Sequence, residues 1–311
     1  VNTKQFSKTI KKKAHQLGFQ KIGIASAKPL TKQQSSLETW LKNGFHADMH
    51  WMEKRKDERG DIFSYFPKAK TVISVGMNYY TGMSEDILST SINFSNYAWG
   101  EDYHSLLKTR LTELLDFIKI QKPDIKGLVC VDTSPVMEKA WAQEAGIGWQ
   151  GKHTNLITRD YGSWLFLGEI ILDVELNYDQ SFDEDLCGSC TACIDMCPTK
   201  ALDEYVLDSK KCISYLTIEH RGPFSEESQE KLHGWIYGCD ICQEVCPWNQ
   251  KFQQKSEEIA FQPHWEIAHW TNEDWGNLDE EKFRQLFRDS SVKRTKFEGL
   301  KRNIQANESN T

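Results

Sequence analysis

Eight of the nine cysteines in this 311-residue chain stand between positions 187 and 246, and no other part of the sequence concentrates so much chemistry. Most come in C-x-x-C spacing: Cys187, Cys190 and Cys193, then Cys239 and Cys242. Thiols this close in sequence suit a metal better than disulfides. Thiolates are soft donors that stay deprotonated on a metal, whereas dense disulfide frameworks belong to short secreted chains.

The run Cys187-x-x-Cys190-x-x-Cys193-x-x-x-Cys197-Pro198 has the spacing of bacterial ferredoxins, in which three thiolates cap one four-iron four-sulfur cubane and the fourth reaches a second. A second half follows as Cys239-x-x-Cys242-x-x-x-Cys246-Pro247, one cysteine short, and Cys212 upstream supplies it. The expected sets are therefore Cys187, Cys190, Cys193 and Cys246 around one cluster, and Cys197, Cys212, Cys239 and Cys242 around the other. Each terminal proline halts the local helix and fixes the turn. Four-cysteine sets also bind zinc, but the long run favours iron. Cys130, the ninth, reads as a small apolar residue in a strand.

The clusters occupy about a quarter of the chain, so the remainder must serve a destination for electrons. Gly146-Ile147-Gly148-Trp149-Gln150-Gly151 fits G-x-G-x-x-G, but it follows a helix pattern instead of a strand, which excludes a dinucleotide fingerprint. A glycine loop approaching a flat cofactor, with Lys152 and Asn155 adding polar contacts, remains. Asp102-Tyr103-His104 begins the D-x-H-x-x-G cobalamin-ligand pattern, yet Leu107 stands where glycine should be, so His104 reads as an ordinary helix-start histidine. Asp132 closes an apolar strand and precedes a helix; it is either a proton donor in an apolar pocket or the cap of that helix.

The elements that must position these groups follow from periodicity. Short β-rich runs occupy 21–25 and 71–77, a strong amphipathic helix spans 106–118, and an apolar strand spans 127–131. Ser134 and Pro135 predict a helix start, Gly146 its end, and Asp160-Tyr161-Gly162 a hairpin between 155–158 and 163–172. The expected fold class is a mixed α/β (α+β) domain over 1–178, a ferredoxin-like two-cluster domain over 179–250, and a short helical C-terminus over 251–311.

With 39% apolar and 27% charged residues the chain is globular, and its net charge of −7 argues against wholesale nonspecific nucleic-acid binding. Local basic runs exist nonetheless at Lys8, Lys11, Lys12 and Lys13, and at Lys293, Arg294, Lys296, Lys301 and Arg302. No apolar run reaches the roughly 20 residues that span a bilayer, and the basic segment 4–13 lacks a signal peptide's apolar stretch, which places the chain in the cytoplasm.

Several ordered segments go beyond cysteine spacing. Val131-Asp132-Thr133-Ser134-Pro135-Val136, Gly146-Ile147-Gly148-Trp149-Gln150-Gly151-Lys152, Cys212-Ile213-Ser214-Tyr215-Leu216-Thr217-Ile218-Glu219 and Gly238-Cys239-Asp240-Ile241-Cys242-Gln243, with the ferredoxin run, closely resemble the epoxyqueuosine reductase family over nearly the whole chain. The resemblance implies a cobalamin-dependent oxidoreductase, related to reductive dehalogenases. Such an enzyme reduces the epoxide of epoxyqueuosine at the tRNA wobble position to queuosine, with electrons from two four-iron clusters.

By the same resemblance Asp132 is the proton donor, raised in pKa by burial. Arg55, Tyr97, Asp132, Lys152, Asn155, Ser214, Tyr215, Thr217 and Gln243 lie near the corrin, and no histidine sits below the cobalt. The implied partners are tRNA presenting a flipped anticodon base and an external low-potential electron donor, and the enzyme acts as a monomer, with no membrane. Family members continue into helical HEAT-like repeats. Residues 251–311 therefore read as the start of such a region, truncated or absent, which shifts tRNA contact to Lys296, Lys301, Arg302 and the cluster domain. The competing readings are a cobalamin-dependent reductase of a small molecule and a non-catalytic electron carrier.

Overall fold

The computed structural model describes residues 2–82 and 92–308. A four-stranded sheet organises the first half, built from β1 (Lys21–Ser26), β2 (Thr71–Asn78), β4 (Gly127–Cys130) and β5 (Leu165–Leu172) in the order β1-β2-β5-β4. Every pairing is antiparallel, with Lys21 opposite Gly76 and both Thr71 and Gly127 opposite Leu172. All eight positions of β2 and of β5 are buried, so these mostly apolar central strands show no alternation, and their polar Ser74 and Glu169 meet at 3.1 Å.

Helices cover both faces. Helix α1 (Thr3–Gln16) and helix α2 (Tyr103–Gln121) place Phe6, Ile10, Leu107, Leu111 and Leu114 in one core with Ile73, Val75 and Ile170. The recurrence of those residues at three- and four-residue spacing is what turns one face of each helix to the sheet. Helix α3 (Glu138–Glu144) packs Ala140, Trp141 and Ala142 on the other face, against Val72, Cys130 and Ile171.

Two local expectations are corrected. The hairpin between 155–158 and 163–172 does not form: Leu156–Ile157 pairs with Trp149–Gln150, while β5 runs between β2 and β4. The turn survives only as the Thr158 and Gly162 bridge, with Asn249 Oδ1 accepting from the Ser163 amide at 2.6 Å. The helix expected from Ser134 and Pro135 begins at Glu138 and has no side-chain cap; Gly146 ends it as expected, at φ 76°.

The second half joins the first through a parallel pair, β3 (Asn93–Phe94) against β6 (Trp235–Tyr237). Phe94 stacks on Tyr237 at 5.2 Å, and Trp275, Phe287, Leu300 and Ile304 complete this core, the last two from α5 (Lys296–Glu308). The stretches expected at 1–178, 179–250 and 251–311 thus share packing around one apolar cluster. Between them, helix α4 (Ile213–Ile218) follows Cys212 directly, and its Ile213, Tyr215 and Leu216 pack on Trp235.

Candidate cofactor cleft and active site

The cysteines gather as their spacing requires. Cys187 and Cys246 share one apolar cluster with Trp149 and Trp248, and Cys197, Cys212 and Cys242 meet in another. Burial, then the neighbouring thiols of Cys246, Cys187 and Cys190, lift Cys193 to about 11; burial, then Cys242 and Cys212, lift Cys239 higher still. Cys193 thus feels three thiols of its expected set and Cys239 two of its own, while Cys242 feels Cys193 as well as Cys212 and Cys197. Among the described residues no three cysteine sulfurs lie within 4.8 Å of one another.

A cavity of about 360 Å³ opens between the sheet and the cysteine-bearing half. Its walls include Tyr97, Asp132, Asn155, Ser214 and Gln243 from the expected set, together with Cys197, Cys212, Cys239 and Cys242. His153 also lines it; burial, then Lys139, holds this imidazole neutral, with a pKa of about 4, and its buried Nε2 has no hydrogen-bond partner. A polar cavity wall beside one cysteine set, with a buried donor waiting for an acceptor, fits an amide-fringed flat cofactor.

Asp132 stands at the mouth of this cavity, just beyond β4, at φ 45°. Its Oδ2 lies 3.0 Å from His104 Nε2, and His104 Nδ1 lies 2.6 Å from Asp102 Oδ1. Lys293 Nζ reaches the other Asp102 oxygen at 2.8 Å, giving a row of alternating charges. Burial alone would lower the His104 pKa, but hydrogen bonds to Asp102 and Asp132 outweigh it and hold the ring at about 9. Burial alone would raise Asp132, yet the His104 hydrogen bond and charge, helped by Arg294 and Arg59, keep it below the ordinary carboxylate value. With its side chain about half exposed and paired to His104, Asp132 is held as the carboxylate and the proton of the pair resides on His104.

Four of the expected cofactor contacts lie outside the cavity wall, each for a local reason. Arg55 is exposed, with Nε 3.2 Å from Glu58 and its guanidinium over Tyr65. Lys152 is buried against Glu204 at 2.6 Å. Tyr215 donates to Asp48 at 2.6 Å, tying a surface loop to α4. Thr217 bonds to the Ile213 carbonyl and accepts from the Gly238 amide, so it braces the backbone. Asp132 does not cap α3: its backbone amide donates to Glu138 Oε1 at 2.5 Å.

The cavity also holds residues that sequence reasoning passed over. Tyr103, Glu138 and Lys139 line it, and Lys139 donates to Asn155 Oδ1 at 2.8 Å. His104 does stand at a helix start, where Asp102 caps the helix by accepting from the His104 amide at 3.2 Å, but nothing local pointed to Asp132.

Comparison with known proteins agrees with this geometry. Residues 186–249 match the 4Fe-4S double cluster binding domain, and residues 59–133 match the family described as Epoxyqueuosine reductase QueG, DUF1730. The chain is 44% identical to the epoxyqueuosine reductase of Cellulophaga algicola, over 98% of this chain and 99% of that one. It is 42% identical to the same enzyme of Cyclobacterium marinum, over 95% and 94%. A solved epoxyqueuosine reductase with an epoxyqueuosine-modified tRNA-Tyr stem loop superposes at a TM-score of 0.88, with 30% identity over 98% of this chain and 81% of that one. A Bacillus subtilis epoxyqueuosine reductase, solved with a catalytic aspartate loop swung out of the active site, gives 0.87 at 28% identity over 98% and 82%. The reductive dehalogenase NpRdhA shares the fold at a TM-score of 0.51 and 16% identity, over 83% of this chain and 33% of that one. On the strength of near-complete alignment at this identity, the chain belongs to the epoxyqueuosine reductase family.

Proposed function

We propose that this chain reduces the epoxide of epoxyqueuosine in the wobble position of tRNA to queuosine, with Asp132 delivering the proton. The observation that carries the reading is the Asp132–His104 pair at the mouth of a cavity whose wall includes Cys197, Cys212, Cys239 and Cys242. Cobalamin, when bound, supplies a strongly reducing centre, and the two clusters supply the low-potential single electrons it needs.

The chain's own residues do the rest. Tyr97, Asn155, Ser214 and Gln243 provide polar contacts around the cofactor, and the eight cysteines hold the clusters. As the C–O bond of the epoxide opens, negative charge develops on oxygen, and a proton delivered by Asp132 neutralises it. His104 places a proton 3.0 Å from Asp132, and Asp132 would take it up as cofactor and substrate desolvate its carboxylate and raise its pKa. Cys190 is the exposed ligand, the point at which an external donor's electrons would enter. We read the enzyme as a cytoplasmic monomer acting on tRNA; no helix of the described residues is long and apolar enough to cross a membrane.

The test is anaerobic reconstitution with iron, sulfide and cobalamin, followed by conversion of epoxyqueuosine-bearing tRNA by wild type and Asp132→Asn. Turnover by wild type and its loss in the variant, with cobalamin still bound, supports the reading. Cobalamin binding without any change in the tRNA overturns the substrate and directs attention to small reducible molecules.

A further inference from the structure

We infer that Glu138 is a positioning residue for the proposed acid: its carboxyl oxygen holds the backbone amide of Asp132, and with it the turn that aims Asp132 at His104. The inference rests on the reading of Asp132 as the proton donor.

Strand β4 ends at the fully buried Cys130, and the chain then turns sharply, with the Thr133 amide donating back to the Val131 carbonyl at 2.5 Å. Asp132, at the apex, has φ 45°, in the left-handed region, which aspartate enters more readily than most side chains but still at a cost that a hydrogen bond offsets. Its amide faces away from the sheet ladder, and the acceptor it finds is Glu138 Oε1 at 2.5 Å. Glu138 opens α3, which is fixed in the second core by Ala140, Trp141 and Ala142. The acceptor therefore stands on a rigid element and the donor on a loop, so the helix fixes where the loop can sit. Glu138 makes no hydrogen bond to His104, and it lines the same cavity as Asp132. Its reach to the Asp132 backbone, six residues back, closes the loop between β4 and α3 on itself.

What the turn needs is an oxygen acceptor at this place, which glutamine also offers and alanine does not. Wild type, E138A, E138Q and D132N are each loaded with clusters and cobalamin and compared on epoxyqueuosine-bearing tRNA. E138A is expected to lose about 10- to 100-fold in kcat with KM for tRNA unchanged, and E138Q to recover most of that loss. Amide exchange in the peptide spanning 131–137 gives a readout independent of turnover: it is faster in E138A than in wild type and close to wild type in E138Q. Equal turnover and exchange in E138A and wild type would overturn the inference, as would an equal fall in E138A and E138Q. Failure of the acid assignment shows separately, as undiminished turnover by D132N.

Discussion

His104 Nε2 lies 3.0 Å from Asp132 Oδ2, while its other ring nitrogen lies 2.6 Å from Asp102. An imidazolium held between two carboxylates donates both protons, so neither carboxylate competes with the other for a neutral ring. Lys293 completes the row from the far side of Asp102.

That arrangement fixes a pH dependence of stability. The His104 pKa rises from 6.5 in the unfolded chain to about 9 in the fold, so its contribution is full below 6.5, declines as pH climbs, and is gone above about 9. Asp102 and Asp132 shift downward, so their contribution persists above the ordinary carboxylate value of 3.8. Thermal unfolding of wild type and His104→Gln should differ most at pH ~6 and converge at pH ~9.5. A difference independent of pH would show that the ring is not charged in the fold.

Replacing Asp102 with asparagine removes one of the two anions facing His104. The ring should then titrate at lower pH than in wild type, which proton NMR of the histidine Cε1 resonances would follow. An unchanged titration would mean that Asp132 alone sets it.

Iron content separates the two cysteine sets. Cys193→Ala and Cys212→Ala should each retain about half the iron of wild type, because one cubane keeps its full ligand set. Cys130→Ala should retain all of it, since that thiol is buried in β4, with its pKa pushed up to about 12. Loss of all iron in Cys212→Ala would show that the second cluster is required for assembly of the first.

The basic C-terminal residues divide into structural and free groups. Arg302 donates to the carbonyls of Leu216, His220 and Gly222 and lies 4.0 Å from the Phe224 ring, and Lys301 is bonded to the carbonyls of Gly276 and Leu278. Arg302→Ala should therefore cost about 2 to 3 kcal/mol of stability. Lys296 is exposed, so Lys296→Gln should leave stability nearly unchanged while lowering tRNA affinity, with a salt slope reduced by about 1. Equal salt slopes in wild type and Lys296→Gln would remove this lysine from the tRNA contact.

The strands and the long helix were legible because their patterns are carried within each segment: eight buried positions in β2, and Leu107, Leu111 and Leu114 along one stripe. Asp132 was legible from its place at the end of β4, but its environment was not. His104 is 28 residues away, and only the sheet order brings the start of α2 beside that strand end. Lys152 and Thr217 show what spacing leaves open. They sit in recognisable segments whose side chains brace Glu204 and the Gly238 backbone, and spacing alone does not say which way a side chain turns. The hairpin failed because turn chemistry is local, whereas strand pairing answers to which faces are covered.

The parallel pair of β3 with β6 has a consequence for modularity. The strand from the first half contributes Phe94, the strand from the cysteine-bearing half contributes Tyr237, and the C-terminal helix closes over both. A gene fragment for the ferredoxin-like part alone would leave that aromatic surface bare and prone to self-association. The cysteine-bearing part and the sheet that precedes it therefore complete each other's core through Phe94 and Tyr237.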